Sequence, residues 1–280
     1  MSIKRMELPD GWYPKDKKGC ERDIKNYLES YSHKKLDGNW IGGVVPHAGW
    51  FYSGKLACQT ISLLSQNKNP DVVVVFGGHL RPTAKVTYYD YDQFETPFGN
   101  LERHDKLFNV VLDCIQEFSI PDTAVDNTVE IQLPFIKYFF PKSKILAFRS
   151  PPSNYAVDLG KFIATEGKKL DLDLLFVGST DLTHYGPNYG FMPEGTGEKA
   201  LQWVKETNDK EFIHYLEKME GELAIKHSVR HQSACSAGGA VSCMVGSEVF
   251  GKTSGTIIDY YTSYDVMKNS SFVGYLGMLY

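Results

Sequence analysis

Four short apolar runs, each bounded by Gly, Pro or Asp, constrain the fold of this chain more than any other feature. They lie at residues 41–46, 71–76, 144–148 and 172–177. Uninterrupted apolar strands of this length are buried on both faces, as in a largely parallel sheet covered by helices. Segments with helical spacing alternate with them, at residues 55–66, 105–118 and 156–170. The βαβα alternation predicts an α/β fold, with a central, largely parallel or mixed β-sheet flanked by helices.

Weaker patterns complete the predicted layout. Residues 85–92, ahead of the turn sequence TPFG at 96–99, indicate a short antiparallel pair or hairpin beside the main sheet. Two more strands are expected at 256–261 and 272–279, a loop at 186–197, and a surface helix or helix pair at 199–223. The sequence contains no repeat, low-complexity tract or Ser/Gly linker. We therefore expect residues 1–280 to form a single domain.

Composition excludes several classes of partner. The formal net charge of -4 provides no basic face for nucleic acid. The longest apolar run is far shorter than the roughly 18–20 residues that span a bilayer, and the first residues lack the apolar segment of a secretory signal. The five cysteines are widely spread, with no C-x2-C pair. These features predict a cytoplasmic protein that binds neither nucleic acid nor membrane.

Potential metal ligands or acid/base groups follow three of the apolar runs. His47 follows the first, His79 the second, and Asp181 and His184 the fourth. In open α/β sheets, ligands bind outside the carboxyl ends of the strands, so these side chains are expected to share a site. Taken singly, each histidine has a simpler explanation, since it can cap a helix or pair with a buried carbonyl. Asp181 can likewise serve as a helix N-cap.

The residues alone leave the chemistry of such a site open. Two histidines and a carboxylate suit non-heme Fe(II), whereas histidine with cysteine suits Zn, Cu or Fe. If the turn after the fourth run is helical, Asp181 and His184 lie on one face. Neither G-x-G-x-x-G nor G-x-x-x-x-G-K-[ST] occurs, so a nucleotide site is not expected.

Cys235 is the remaining candidate, in the sequence SACSAGGAVSC at 233–243. It is expected near the N-terminus of an apolar helix, where the dipole favours a thiolate. Close helix packing through small residues explains the same segment equally well. Cys243 is interpreted as a buried core thiol. Whether His227 or His231, just upstream, faces the same site is left open.

Several of these segments together resemble the Memo family, whose prokaryotic members are called AmmeMemoRadiSam system protein B. The matching sequences are PHAGWFYSG at 46–54, FGGH at 76–79, EIQLPF at 130–135, STDLTHY at 179–185, the Cys235 segment, and SSFVGY at 270–275. The resemblance implies a fold similar to class III extradiol dioxygenases. It also implies that His47, His79 and Cys235 bind metal.

By the same resemblance, Asp181 and His184 are expected to line the pocket. Two positions depart from the family pattern. Asn127, in DNTVE at 126–130, replaces a histidine, and Trp50 stands where Tyr is common. These departures affect the expected substrate and the pocket mouth more than the fold.

Three functions remain open. The first is a dioxygenase-like oxidoreductase that uses Fe(II) or copper, with His184 as acid/base and Asp181 either orienting His184 or itself binding the metal. The second is a hydrolase in which Zn²⁺ activates water. The third is a module that binds a peptide or an anionic ligand without turnover, using a basic rim formed by Lys55, Arg81 and Arg103. The partner is therefore an unknown small-molecule substrate or a peptide, and the oligomeric state is not determined by the sequence.

Overall fold

A computed structural model describes residues 1–30, 36, 38–66 and 68–280, and these form twelve strands and eleven α-helices. The strands are β1 (Ile3–Lys4), β2 (Gly42–Val45), β3 (Val72–Gly77), β4 (Val86–Tyr88), β5 (Gln93–Phe94), β6 (Leu101–Glu102), β7 (Ser119–Pro121), β8 (Lys144–Arg149), β9 (Leu174–Ser179), β10 (His184–Tyr185), β11 (Thr256–Thr262) and β12 (Phe272–Leu279). The helices are α1 (Lys17–Glu29), α2 (Lys55–Leu64), α3 (Asp105–Ile115), α4 (Asn127–Glu130), α5 (Leu133–Phe139), α6 (Asn154–Lys169), α7 (Glu198–Trp203), α8 (Asp209–Glu217), α9 (Gly221–His231), α10 (Ala237–Val249) and α11 (Ser263–Val266).

The main sheet has nine strands and mixed direction. Its order is β10-β12-β2-β9-β3-β8-β4-β7, and β11 pairs with β12 outside this path. The four predicted apolar strands, β2, β9, β3 and β8, are mutually parallel and lie next to one another. On either side of them, β12 and β4 run antiparallel. The predicted α/β fold with a largely parallel or mixed sheet is therefore confirmed.

The apolar strands lack polar alternation because both faces of the sheet are covered. In β3, Val72 and Val74 belong to a core formed with α3, α6 and α10. Val73 and Val75 point to the opposite face, where α1, α2 and α5 form a second core. All four valines are fully buried, and each contributes about 1.5–3 kcal/mol of burial free energy. Two-sided burial thus explains the run of consecutive valines.

Helix α10 lies unusually close to the sheet because its N-terminal half consists of small residues. Nearly all of the helix is buried. A Cβ added at Gly239 would lie 2.7 Å from the carbonyl oxygen of Phe76 in β3, so a side chain there would force the two elements apart. This contact fixes the start of α10 above the carboxyl ends of the central strands, and it brings Cys235 there too.

Two predicted elements differ in detail. The hairpin beside the main sheet is β5–β6, in a separate three-stranded sheet with β1. β4 instead joins the main sheet, because Val86 packs into the core beneath α3 and α6. The predicted helical region at 199–223 comprises α7, a π-helical turn at Val204–Asn208, α8 and the start of α9. In the described part of the chain, no helix has both the length and the apolarity needed to cross a membrane.

Candidate metal centre

The five predicted site residues come together at one edge of the sheet. His47, His79 and Asp181 each lie two residues beyond the last residue of β2, β3 and β9, which are neighbouring strands. Cys235 lies two residues before α10. His184 opens β10, which returns antiparallel to β12. Strand order therefore brings together side chains that are far apart in sequence.

Three of these side chains have metal-ligand atoms that lie close together. One ligand atom from each of His47, His79 and Cys235 lies within 4.8 Å of the other two. Cys235 Sγ is 3.1 Å from His47 Nε2. The two imidazole rings are nearly perpendicular, with centroids 4.9 Å apart. His47 is almost fully buried, whereas His79 and Cys235 are partly accessible.

Hydrogen bonds at Nδ1 orient both imidazoles. His47 Nδ1 lies 3.2 Å from Ser179 Oγ, and His79 Nδ1 lies 3.0 Å from Asp126 Oδ2. Because a carboxylate only accepts, Asp126 fixes the proton of His79 on Nδ1 and leaves Nε2 as the ligand atom. Such carboxylate–histidine pairs are the usual support of metal-binding imidazoles.

Asp126 is in turn held ionised by its surroundings. Burial alone would raise the pKa of its carboxyl group, but the hydrogen bond from His79 and the nearby Arg149 charge outweigh burial and keep the pKa below its ordinary value. Arg149 Nη2 lies 3.5 Å from Asp126, and Nη1 lies 3.1 Å from Asp122. Asp122, Arg149, Asp126 and His79 are therefore linked in this order by ion pairs, and the side chains of the first three are buried.

The backbone at His79 is held in a left-handed conformation. Its φ is 60°, which is uncommon for a residue other than glycine and costs about 1–3 kcal/mol. The conformation is held by hydrogen bonds, because Gly78 N–H donates to Thr128 Oγ1 and His79 N–H donates to Ser236 Oγ. The strain places the imidazole towards Cys235 instead of along the strand.

Asp181 and His184 adjoin the three ligand-type side chains. The segment is not helical, so the condition for placing them on one helix face is not met, and the alternative explanation of Asp181 as a helix N-cap does not apply. Asp181 Oδ1 accepts the main-chain N–H of His47 at 2.7 Å. Its Oδ2 lies 3.9 Å from Nε2 of both His47 and His184. Asp181 thus bridges β2 and β10.

The electrostatics of the cluster favour a thiolate. Burial alone would raise the pKa of Cys235, but the surrounding His47, His184 and His79 hold it well below its ordinary value. For His47, burial has the opposite effect and lowers the pKa of the imidazole, but the negative charges of Cys235 and Asp181 outweigh it and raise that pKa. The pKa of Cys243, the predicted core thiol, is raised to about 12 by burial. Cys235 is accordingly the cysteine with the electrostatic environment of a ligand.

The donor set fits a divalent transition-metal ion. It comprises two imidazoles with Nδ1 already engaged and one thiolate, which are ligand types that such ions bind. His184 Nε2 is buried and has no hydrogen-bond partner among the described residues. A buried polar atom without a partner is costly, so this nitrogen is suited to a group bound beside the three ligands.

A cavity of about 330 Å³ opens onto this cluster. His47, His79, Asp181 and His184 lie in its wall. The rest of the wall is neutral and partly aromatic, and its side chains with polar atoms are those of Trp12, Tyr52, Asn127, Asn188, Tyr189, Ser263, Asn269, Ser271 and Tyr275. Among the described residues, no Lys or Arg lines this cavity.

The residues predicted to supply a basic rim do not line the cavity itself. Lys55, Arg81 and Arg103 are absent from its described lining. Arg103 is instead held in ion pairs with Asp90 and Asp105.

The two departures from the family pattern act differently. Asn127 lines the cavity, and its Nδ2 donates to the carbonyl oxygen of His47 at 2.9 Å. Trp50 does not line this cavity in the described residues, since it is buried and stacks on Phe135 with ring centroids 4.1 Å apart. Its indole Nε1–H donates to the carbonyl oxygen of Ile131 at 3.3 Å, and its main-chain N–H donates to the carbonyl oxygen of Trp12, a residue of the cavity wall.

Several supporting residues were not identified from the sequence. Glu130 accepts hydrogen bonds from Leu8 N–H at 3.0 Å and Tyr13 Oη at 2.8 Å, and so fixes the N-terminal segment that carries Trp12. Gln132 Nε2 donates to the carbonyl oxygen of Pro46 at 2.8 Å and lies 3.1 Å from Ser179 Oγ. Glu130 and Gln132 both lie in the EIQLPF segment, which was the available signal, but their partners are distant in sequence.

Comparisons with known proteins find a matching family, related sequences and a similar fold. The sequence profile of the family described as Memo-like protein matches residues 5–279. A MEMO1 family protein of Pyrococcus furiosus is 27% identical over 99% of this chain and 98% of its own length. One from Aquifex aeolicus is 28% identical over the full length of both. An uncharacterized protein of Escherichia coli K12 has a similar fold, with TM-score 0.53 and 10% identity over 85% of this chain and 99% of its own.

Proposed function

Because the chain belongs to the Memo family, we propose that it is a metal-dependent oxidoreductase that holds Fe(II) through His47, His79 and Cys235. Copper is the alternative redox metal. The observation that carries the proposal is the convergence of three ligand atoms within 4.8 Å beside a cavity of about 330 Å³. When bound, the metal would supply one-electron chemistry with O2 and a Lewis-acidic position for the substrate.

The residues beside the ligands have separate roles in this proposal. His184 Nε2 lacks a hydrogen-bond partner in the described structure and lies in the cavity wall, so it can accept or donate a proton at the substrate. Asp181 orients it from 3.9 Å and also holds the main chain of His47. A thiolate ligand changes the metal's electronics relative to a carboxylate, so catechol ring cleavage is not assumed.

The wall of the cavity favours a small, uncharged substrate. Its polar atoms come from amide and hydroxyl side chains, and the described lining has no Lys or Arg to pair with a phosphate or carboxylate. This composition weighs against an anionic peptide as the natural ligand. Peptide binding without turnover remains an alternative to the oxidoreductase, and so does zinc-dependent hydrolysis. The tests below distinguish the three.

Metal identity is tested first, on protein purified without oxygen. Elemental analysis should find about one iron or copper per chain, and Co²⁺ substitution should give the absorption of a thiolate ligand. His47→Ala and Cys235→Ala should each abolish both signals. The matched controls are His214→Ala and Cys114→Ser, which change an exposed imidazole and an exposed thiol. Metal retained in His47→Ala and Cys235→Ala would contradict the ligand assignment.

Turnover is tested next, by oxygen consumption with small phenols, catechols and thiols as substrates. We expect activity with iron or copper but not with zinc, and a loss of about 10²–10⁴-fold in His184→Asn with metal still bound. Hydrolysis supported by zinc would favour the hydrolase. Ligand binding with no turnover under any metal would favour the binding module.

A further inference from the structure

A second group of metal-ligating side chains lies outside the cavity described above. His227 and His231 are four residues apart on α9, so their imidazoles share one face of the helix. Their rings stack with centroids 4.7 Å apart. Glu211 of the facing helix α8 brings its Oε2 to 3.4 Å from His227 Nε2. His227 thus has a carboxylate of α8 on one side and the stacked imidazole of His231 on the other.

Both ends of this group are already oriented by neighbouring hydroxyl groups. His227 Nδ1 lies 2.8 Å from Ser233 Oγ, which leaves Nε2 directed at Glu211. Tyr215 Oη donates to Glu211 Oε1 at 2.7 Å, so Oε2 is the oxygen that faces His227. His227 thus resembles His79 of the central site, since in both residues Nδ1 has a hydrogen-bond partner and Nε2 is the nitrogen available to a metal ion.

We propose that His227, His231 and Glu211 form a second binding site for a divalent transition-metal ion of the zinc class. Two imidazole nitrogens and one carboxylate oxygen form a donor set that zinc accepts, with a further position for water. Half of the Glu211 side chain is exposed and His231 is not fully buried. Because the three ligand atoms do not already converge as they do in the central cluster, an ion would have to draw these two side chains together.

The site is separate from the central one. The three residues line a surface cavity of about 180 Å³ that shares no described residue with the larger cavity. Lys226 and Arg230 also border it, but both are exposed, so solvent screens their charges. An ion there ties α8 to α9 and, through the bond between His227 and Ser233, restrains the segment that leads to Cys235.

The test uses untagged protein that carries His47→Ala and Cys235→Ala, so that zinc cannot occupy the central site. Titration with Zn²⁺ against a chromophoric chelator should give one ion per chain. His231→Ala and Glu211→Ala should each lose this ion, and Ser233→Ala should bind it about 10–100-fold more weakly. The matched control His214→Ala, an exposed imidazole on α8, should retain it.

Two outcomes overturn the proposal. One is no bound zinc in the folded double variant, with folding checked by circular dichroism. The other is unchanged zinc binding after His231→Ala. If the double variant does not fold, the same substitution is made in the otherwise unaltered protein, where zinc stoichiometry should fall from two to one. Failure of the surface site leaves the central site untouched, because the two measurements use different residues.

Discussion

Asp209 makes stability depend on pH in an unusual direction. This carboxyl group is fully buried at the start of α8, where it accepts hydrogen bonds from Thr183 N–H at 3.1 Å, from the Thr183 hydroxyl and from Tyr260 Oη at 2.8 Å. Burial raises its pKa from 3.8 to about 6, because these hydrogen bonds and nearby His184 only partly offset the loss of solvent. The folded state therefore binds a proton more tightly than the unfolded chain.

The sign and size of the effect follow from linkage. A carboxyl group with a raised folded-state pKa contributes stability that is fully present below about pH 3.8 and is lost as pH rises through about 6. Each pKa unit is worth about 1.36 kcal/mol. Integrated between pH 4.5 and pH 7, the Asp209 contribution falls by about 2 kcal/mol, or roughly 30-fold in the ratio of folded to unfolded protein.

The measurement is the free energy of unfolding in urea, on metal-free protein, across this pH range. Asp209→Asn keeps the side-chain size and one carbonyl acceptor but has no proton to lose. Since both proteins share every other titrating group, His184 included, subtracting their curves isolates Asp209. Wild-type stability relative to the variant should fall by about 2 kcal/mol. Asp113→Asn, an exposed substitution that leaves Asp209 in place, should keep the wild-type slope. A difference that is flat or rises with pH would refute the reasoning.

Three further substitutions test the support of the pocket and the metal ligands. Glu130→Ala should lower the free energy of urea unfolding by about 3–5 kcal/mol, because it leaves a buried cluster of donors unpaired. The exposed Glu102→Ala should cost no more than about 1 kcal/mol. Gly239→Ala should cost about 1–3 kcal/mol in the same assay, since its Cβ would lie 2.7 Å from a carbonyl oxygen of β3. Asp126→Asn should weaken metal binding about 10–100-fold in a chelator competition, while Asp113→Asn leaves it unchanged.

The fold could be predicted where burial leaves a pattern in the sequence. The valines of β3 face helices on both sides, and a strand buried on both faces has no polar alternation to obscure it. The same pattern could not show where, in the region around residues 85–102, the main sheet ends and the separate small sheet begins. Residues 85–92 include a strand of the main sheet and the approach to a separate small sheet, and only packing of Val86 beneath α3 and α6 distinguishes the two.

The site was predictable to the extent that its side chains follow strand ends. His47, His79, Asp181 and His184 could be proposed for that reason. The sequence left open whether the last two share a helical turn, and they do not, because β10 starts at His184 to pair with β12. Asp126 was not foreseen as the partner of His79. Its position depends on an ion pair with Arg149 at the end of β8, and no local pattern encodes a contact between residues this far apart in sequence.

The middle strand of the site explains why the two histidines can share an ion. β2 and β3 lie on opposite sides of β9, so their backbones are roughly 10 Å apart at the usual strand spacing. The imidazoles nevertheless approach to 4.9 Å between centroids, which requires both to lean over the end of β9. That end carries only small side chains, Ser179 and Thr180, and Ser179 Oγ engages His47 Nδ1. Thr180 Oγ1 instead accepts from Ser236 N–H at the start of α10. A bulky residue at position 179 would take the place of the hydroxyl that orients His47, so the small side chain there supports the metal site together with the ligands.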